Sequence, residues 1–349
     1  MTKIDAIFKE AVGRGASDIH LVVGRRPIFR IDGVLTEYEK LPELSDKEAA
    51  EMIFSLMSER QKAIYLNERE LDISHEINGL SRFRINCHWE RNHPGLVARI
   101  ISQTIPTLEE LMMPNIVYDL LRLKQGLVLV TGPTGCGKST SLAAMINMIA
   151  HERAVHIITL EDPIEFIYEN DPSIKAIIKQ RQLGTDMLSF AQALKHVLRQ
   201  DPNVILVGEM RDLETIAATI TLAETGHLVL ATLHTFNAGQ TVDRIIDVFP
   251  PYQQSQVRLQ LSMFLKGIIS QQLLPRKGGG RIATREILIN TPAIANLIRE
   301  NKVAQIKTTI QTSGEEGMVT MDQDIKRLFD QGLIEKETAR MYMSTPQTL

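Results

Sequence analysis

The chain has 349 residues, of which 44% are hydrophobic and 23% charged, and its formal net charge is −3. That length suggests two domains with a helical tail, and the composition is that of an ordinary soluble globular protein with no basic block to mark a nucleic-acid footprint. Its two cysteines, Cys87 and Cys136, exclude a disulfide scaffold and a four-cysteine zinc site and fit a reducing cytosol.

Residues 1–100 read as a small α+β unit. The amphipathic start, MTKIDAIFKEAVGRGASD, is not signal-like, and its first helix covers Ile4 to Val12 before Gly15. A strand follows at SDIHLVV (17–23), and IDGVL (31–35) reads as a hairpin with Asp-Gly at its tip. The stretch 44–66 has helical periodicity, with Ser45 as N-cap and Glu48 three residues on. SRFRINCHW (81–89) alternates as a strand does, with Arg82 and Arg84 on one face and Phe83 and Ile85 on the other. Residues 101–115, with prolines at 106 and 114, read as a linker.

From about 116 the pattern changes to strands alternating with helices, which indicates a parallel sheet covered on both faces. The strands are GLVLV (126–130), AVHIITL (154–160), NVILV (203–207) and HLVLATL (227–233). The intervening helices carry Leu142, Met145, Ile146 and Ile149, a Ser189/Gln192 capping box, and a segment 213–225 closed by Gly226. After about 255 the chain reads as mostly helical, apart from a GGG turn (278–280) and a short IATREILI segment. The α/β core is thus expected over 116–270 and a mostly helical region over 271–349. No apolar run approaches the roughly 18 residues of a membrane span, so any membrane role goes through a partner.

The chemistry centres on GPTGCGKST: Gly132, Pro133, Thr134, Gly135, Cys136, Gly137, Lys138, Ser139 and Thr140. It fits G-x-x-x-x-G-K-[ST] in full, with a strand before it and a helix after it, which makes a chance Gly-rich turn very improbable. Backbone N–H groups and the helix N-terminus suit phosphate oxygens, Lys138 suits the β/γ-phosphates of ATP, and the Ser139 hydroxyl suits Mg²⁺. The same positive potential predicts a Cys136 thiol that ionises readily in the empty loop.

Such a site needs acids at the C-terminal ends of neighbouring strands. One strand ends at Glu161, Asp162 and Glu165, and another at Glu209, followed by Arg211 and Asp212. Any one of these carboxylates taken alone is better read as a solvated loop residue; two apolar strands both ending in acids beside the loop favour function. Spacing alone leaves open which acid organises the metal and which polarises water. His227 and His234 bracket one strand, so seven steps of ~3.3 Å hold them roughly 20 Å apart and they cannot share a metal. His234, at the C-terminal end, reads as a γ-phosphate sensor; His227 has a structural reading at the strand entry beside a functional one.

ASDIHL, GPTGCGKST, TLEDPIEF, ILVGEMRDLETI and TGHLVLATLHT together resemble the type IV pilus retraction ATPases of the secretion-ATPase superfamily. The resemblance implies a PAS-like N-terminal domain, a RecA-like ATPase domain and a homo-hexameric cytoplasmic ring that uses ATP and Mg²⁺. It further implies an inner-membrane platform protein and the pilin machinery as partners, with neither nucleic acid nor direct membrane insertion. By motif position Lys138 and Ser139 belong to Walker A, Glu165 is the catalytic glutamate, and Glu209 is the Walker B acid acting on magnesium through water. His227 and His234 match the two His-box positions, and Arg82 and Arg84 become arginine fingers reaching a neighbouring subunit's nucleotide, against a solvated strand face as the plainer reading.

Two stretches depart from the family pattern. AIANLIRE (293–300) has Ala295 where the retraction signature has arginine, and CHWERNHPG (87–95) is unusual. The first leaves hydrolysis untouched but admits an accessory motor as an alternative. Three rivals stand beside the retraction reading: an assembly or secretion motor, opposed by the missing four-cysteine site; a RecA-like nucleic-acid translocase, opposed by the acidic balance; and a module that binds ATP without hydrolysing it, opposed by the paired acids.

Overall fold

The computed structural model describes residues 2–31, 33–101, 104–168 and 172–349. They part into two compact units, Met1–Thr104 with Glu165–Ile167, and Ile105–Ile164 with Tyr168–Leu349.

The first unit opens with α1 (Lys3–Gly13), started by a capping box between Thr2 and Asp5. Its antiparallel sheet is built from β1 (Asp18–Leu21), β2 (Ile28–Ile31), β3 (Val34–Glu37), β4 (Glu70–Ile77), β5 (Ser81–Glu90) and β6 (His93–Ile101), in the order β3-β2-β1-β6-β5-β4. β2 and β3 make the expected hairpin, with Ile31 opposite Val34; Asp32 at its tip lies outside the described residues, as do Ser102 and Gln103 of the expected linker. The stretch 44–66, expected as one helix, is two: α2 (Asp46–Phe54) and α3 (Glu59–Glu68). Ser45 and Glu48 cap the first, but Ser58 and Gln61 form a second box that begins a new helix. The Ser58 hydroxyl accepts the Gln61 N–H, so a side chain, not a further turn of α2, satisfies that donor. The periodicity runs on across the break because both helices face one core, where Ile53 and Tyr65 are fully buried. On β5, Phe83, Ile85 and Cys87 point into that core, Phe83 stacking on Phe8 at 4.4 Å between ring centroids, while Arg82 and Arg84 lie on the other face.

The second unit runs through α4 (Asn115–Arg122), β7 (Gly126–Thr131), α5 (Lys138–Glu152), β8 (His156–Glu161), β9 (Ile177–Gln182), α6 (Phe190–Val197), β10 (Val204–Val207), α7 (Leu213–Glu224) and β11 (Leu228–Leu233). It continues with α8 (Ala238–Asp247), α9 (Pro251–Phe264), β12 (Leu265–Pro275), β13 (Arg281–Ile289), α10 (Pro292–Arg299), α11 (Ile306–Thr312), α12 (Met321–Asp330) and α13 (Lys336–Tyr342). The sheet order is β13-β12-β7-β11-β10-β8-β9, and every pairing is parallel except β12 with β13. β7 is buried along its whole length: Leu127 and Leu129 enter one helix-covered core, Val128 and Val130 the other. The α/β class is as expected, an α+β N-terminal domain followed by a RecA-like core.

A second expectation fails. Leu265–Pro275, read above as helical, is a strand that runs across position 270 and pairs with β7 on one side and β13 on the other. Its run LKGIISQQLL lacks polar alternation because both of its faces are covered, and an apolar run of that kind does not separate buried strand from buried helix. The C-terminal region therefore opens with a β-hairpin, and only the part from α10 onward is helical.

Candidate active site

Parallel strands β7, β8, β10 and β11 deliver their C-terminal ends to one edge of the second unit. β7 leads directly into the Gly-rich loop, which ends where α5 begins at Lys138. Thr134, Gly135 and Ser139 are exposed there, while the Cys136 side chain turns inward and is 3% exposed. Gly132 has φ +142, and a Cβ at that position would stand 2.3 Å from the Gln271 carbonyl oxygen, so only glycine fits.

Lys138 Nζ donates to the carbonyls of Gly132 (2.7 Å) and Pro133 (3.0 Å), and its distance to His234 Nδ1 is 3.4 Å. An ammonium group only donates, so Nδ1 is the acceptor and the imidazole proton sits on Nε2. That nitrogen donates to Glu209 Oε1 at 3.0 Å, and the same oxygen accepts from Arg211 Nε at 2.7 Å. Burial alone would push the Glu209 carboxyl up, but hydrogen bonding and charge from Arg211, then His234, outweigh it and hold it below its ordinary value. The result is a continuous polar path from the Walker A lysine through His234 to the acid at the end of β10. The ladder beneath it is tight: Gly208 N donates to Leu160 O at 2.7 Å, Met210 N to Thr232 O at 3.1 Å, and the Thr232 hydroxyl to Gly208 O.

The other acids separate by their partners. Glu161 Oε1 accepts from Thr159 Oγ1 (2.5 Å) and Gln180 Nε2 (3.2 Å). Asp212 is the N-cap of α7, accepting from Thr215 N at 2.8 Å. Glu165 groups with the first unit, where its Oε1 lies 3.9 Å from Arg84 Nη1. Arg82 Nη2 donates to Ser74 Oγ at 3.1 Å, and its Nη1 is 3.8 Å from Glu76. His227 stands before β11 and His234 after it, so the strand holds them apart; His227 Nδ1 lies 3.0 Å from Leu222 O, at the closing turn of α7. Among the described residues no group of three His, Cys, Asp or Glu side chains is arranged to hold a metal, and none of their helices is long and apolar enough to cross a membrane.

The expectation of a readily ionised Cys136 is overturned. Burial raises its thiol above the ordinary value, and the Lys138 charge and backbone hydrogen bonds offset only part of that. One contact to the loop has no counterpart among the sequence expectations. Gln271 of β12, 1% exposed, donates from Nε2 to the Cys136 carbonyl (2.6 Å) and accepts from Ser141 Oγ (2.9 Å). The available signal was a pair of glutamines inside an otherwise buried apolar run.

A sequence profile of the type II/IV secretion system protein family matches residues 1–278. Over 334 residues, 96% of each chain, the protein is 47% identical to the type IV pilus retraction ATPase PilT of Pseudomonas aeruginosa. The chain belongs to the PilT-type secretion ATPases. A Twitching motility protein of Neisseria gonorrhoeae is 50% identical over 315 residues, 90% of this chain and 83% of that one. In structure the chain superposes on a pilus retraction motor, PilT, crystallised with bound ADP, at a TM-score of 0.92 with 45% identity, covering 100% of this chain and 99% of the other. As a PilT-type ATPase the chain hydrolyses ATP, and the Gly-rich loop at the end of β7 is where its Walker A motif lies.

Proposed function

We propose that this PilT-type ATPase works as a cytoplasmic homo-hexameric ring, driven by Mg-ATP, that retracts type IV pili by removing pilin through an inner-membrane platform protein. The likeness to PilT carries the retraction reading, and the polar path Lys138–His234–Glu209, which joins the phosphate loop across the end of β11 to the acid after β10, carries its ATPase part. The donors suit a hard cation: the exposed Ser139 hydroxyl and the ionised Glu209 carboxylate would hold magnesium, the latter through water. When bound, Mg²⁺ neutralises charge on the β/γ-phosphates. Lys138 then exchanges the loop carbonyls for phosphate oxygens, and His234, its proton fixed on Nε2 by Glu209, follows the occupant of the loop. Glu165 is assigned as the base that takes the proton of the attacking water, and Arg82 and Arg84 as cations acting across the subunit boundary. His227 is given the structural role of closing α7.

A second reading, an accessory motor of the same pilus system, is favoured by Ala295, the third residue after Pro292 on α10, where the retraction signature carries arginine. Deleting the gene tests the main reading: cells should carry excess surface pili and lose twitching. Normal piliation with normal twitching would overturn it. Weak complementation of a strain lacking its principal retraction motor, improved by Ala295→Arg, would support the accessory role, whereas DNA-stimulated ATP hydrolysis would favour a translocase.

A further inference from the structure

We infer that Gln271 is a positioning residue for the nucleotide: its side-chain amide sets the direction of a phosphate-binding N–H in the Gly-rich loop. The inference rests on the reading of that loop as the ATP site. β12 pairs with β7 up to Ser270 opposite Thr131, whose hydroxyls are 2.8 Å apart. The next residue on each strand is Gln271 and Gly132, so β12 runs on beside the loop after β7 has ended, its backbone filling the space a Gly132 side chain would need.

The Gln271 amide has only one possible orientation. The Cys136 carbonyl solely accepts, so Nε2 must face it, at 2.6 Å; Oε1 is then left for the Ser141 hydroxyl, at 2.9 Å on the first turn of α5. The Cys136 carbonyl thus fixes which end of the amide meets the loop, and the Ser141 hydroxyl, able to donate or accept, satisfies the other end. A peptide unit is planar and trans, with its C=O and N–H pointing in opposite directions. Holding the Cys136 carbonyl outward toward β12 thus aims the Gly137 N–H the other way, toward the concave side where the β-phosphate belongs. Gly137 is left-handed, with φ +87, and is free of side-chain restraint on that peptide, so an external anchor has a purpose there. The anchor is also dry: Gln271 is 1% and Ser141 1% exposed, so water does not stand in for either partner.

The experiment compares full-length wild type, Q271E, Q271L and S141A for ADP affinity, with thermal melting of the nucleotide-free proteins alongside. Q271E keeps the shape but replaces the donor by a carboxylate oxygen facing a carbonyl. It should bind ADP at least about tenfold more weakly at pH 8, the scale of one lost hydrogen bond to a buried group. Much of that loss should be regained near pH 5.5, where the carboxyl acquires a proton and can donate again. S141A, which releases the other end of the amide, should weaken binding by a smaller factor at every pH. Q271L should match or exceed the Q271E loss without its pH dependence; if it does not fold, Q271E and S141A carry the test. A buried carboxylate is costly even for a side chain that merely packs, so the positioning role is read from ADP affinity that falls in both Q271E and S141A by more than their nucleotide-free melting temperatures explain. Q271E within twofold of wild type at pH 8, or equally impaired at both pH values, overturns the inference. Failure of the wild type itself to bind ADP would instead overturn the nucleotide reading.

Discussion

Gly132→Ala is expected to be far more damaging than Gly135→Ala, although both glycines sit in the same loop with positive φ. At Gly132, φ is +142 and an added Cβ would meet the Gln271 carbonyl oxygen at 2.3 Å and the Cys136 sulfur at 2.6 Å. Backbone strain of that kind costs about 1–3 kcal/mol, and forcing extra volume against backbone costs about 1–3 kcal/mol more. The sum, about 4 kcal/mol at mid-range, converts to a melting shift of roughly 8–16 °C for a unit of this size. At Gly135, φ is +78 and no atom lies within 4 Å, so only the left-handed backbone cost of about 1 kcal/mol remains. Its melting shift should be about 2–4 °C. Differential scanning calorimetry of both variants without nucleotide reads the contrast. Equal shifts would show that β12 does not press on the loop as described, and the account of the P-loop support would fall with it.

Further expectations concern chemistry. Glu165→Gln should still bind ATP but hydrolyse it about 10²-fold or more slowly, and turnover within a few-fold of wild type would remove the residue from its role. Arg82→Ala and Arg84→Ala should each lower turnover while keeping nucleotide binding; rings mixed from Glu165→Gln and Arg84→Ala subunits should regain activity if the arginine acts across the boundary, and no gain in rings shown to form would deny it. Because burial raises the Cys136 thiol, and pushes Cys87 up to about 12, both should alkylate slowly at pH 7.5 in intact protein, with Cys136 accelerating as pH rises; fast labelling of Cys136 at neutral pH would contradict this. Glu209, held below its ordinary value, contributes stability that is present above the unfolded carboxylate range and lost as pH falls through its lower folded value. Glu209→Gln should therefore destabilise the fold at pH 7, by no more than about 1 kcal/mol because its partners Arg211 and His234 are solvent-exposed, with the difference vanishing near pH 3 in urea titrations; a constant difference across that range would sink the assignment.

The sequence disclosed the parts of this molecule whose signals are local. The loop at 132–140 carries its motif in nine consecutive residues, and the parallel strands ending in Glu209 and His234 show themselves as short apolar runs closed by polar residues. Local signals also sufficed for Arg82 and Arg84, since a strand's period of two is visible without knowing its neighbours. What stayed hidden depends on chain segments far apart. β12 looks like a helix until β7 and β13 are beside it, and the partnership of Gln271 with Cys136 spans 135 residues. The break between α2 and α3 was hidden for the opposite reason: the core-facing periodicity is shared by two helices, and only the Ser58 capping box marks the interruption. At Cys136 burial, which the local sequence does not reveal, outweighs the electrostatics of the loop.

The position of β12 also bears on the order in which the chain can mature during synthesis. β7 and the phosphate loop leave the ribosome more than a hundred residues ahead of the strand that flanks them. Until Leu265–Pro275 arrives, β7 is the outer strand of its sheet, a buried-type apolar segment with one row of unpaired backbone groups. In that interval the nascent chain has an adhesive edge and a phosphate loop without its neighbour, so nucleotide cannot yet stabilise it in final form. A message truncated shortly after β11 would leave that edge permanently open, and its product should aggregate or be degraded in place of persisting as a small nucleotide-binding fragment.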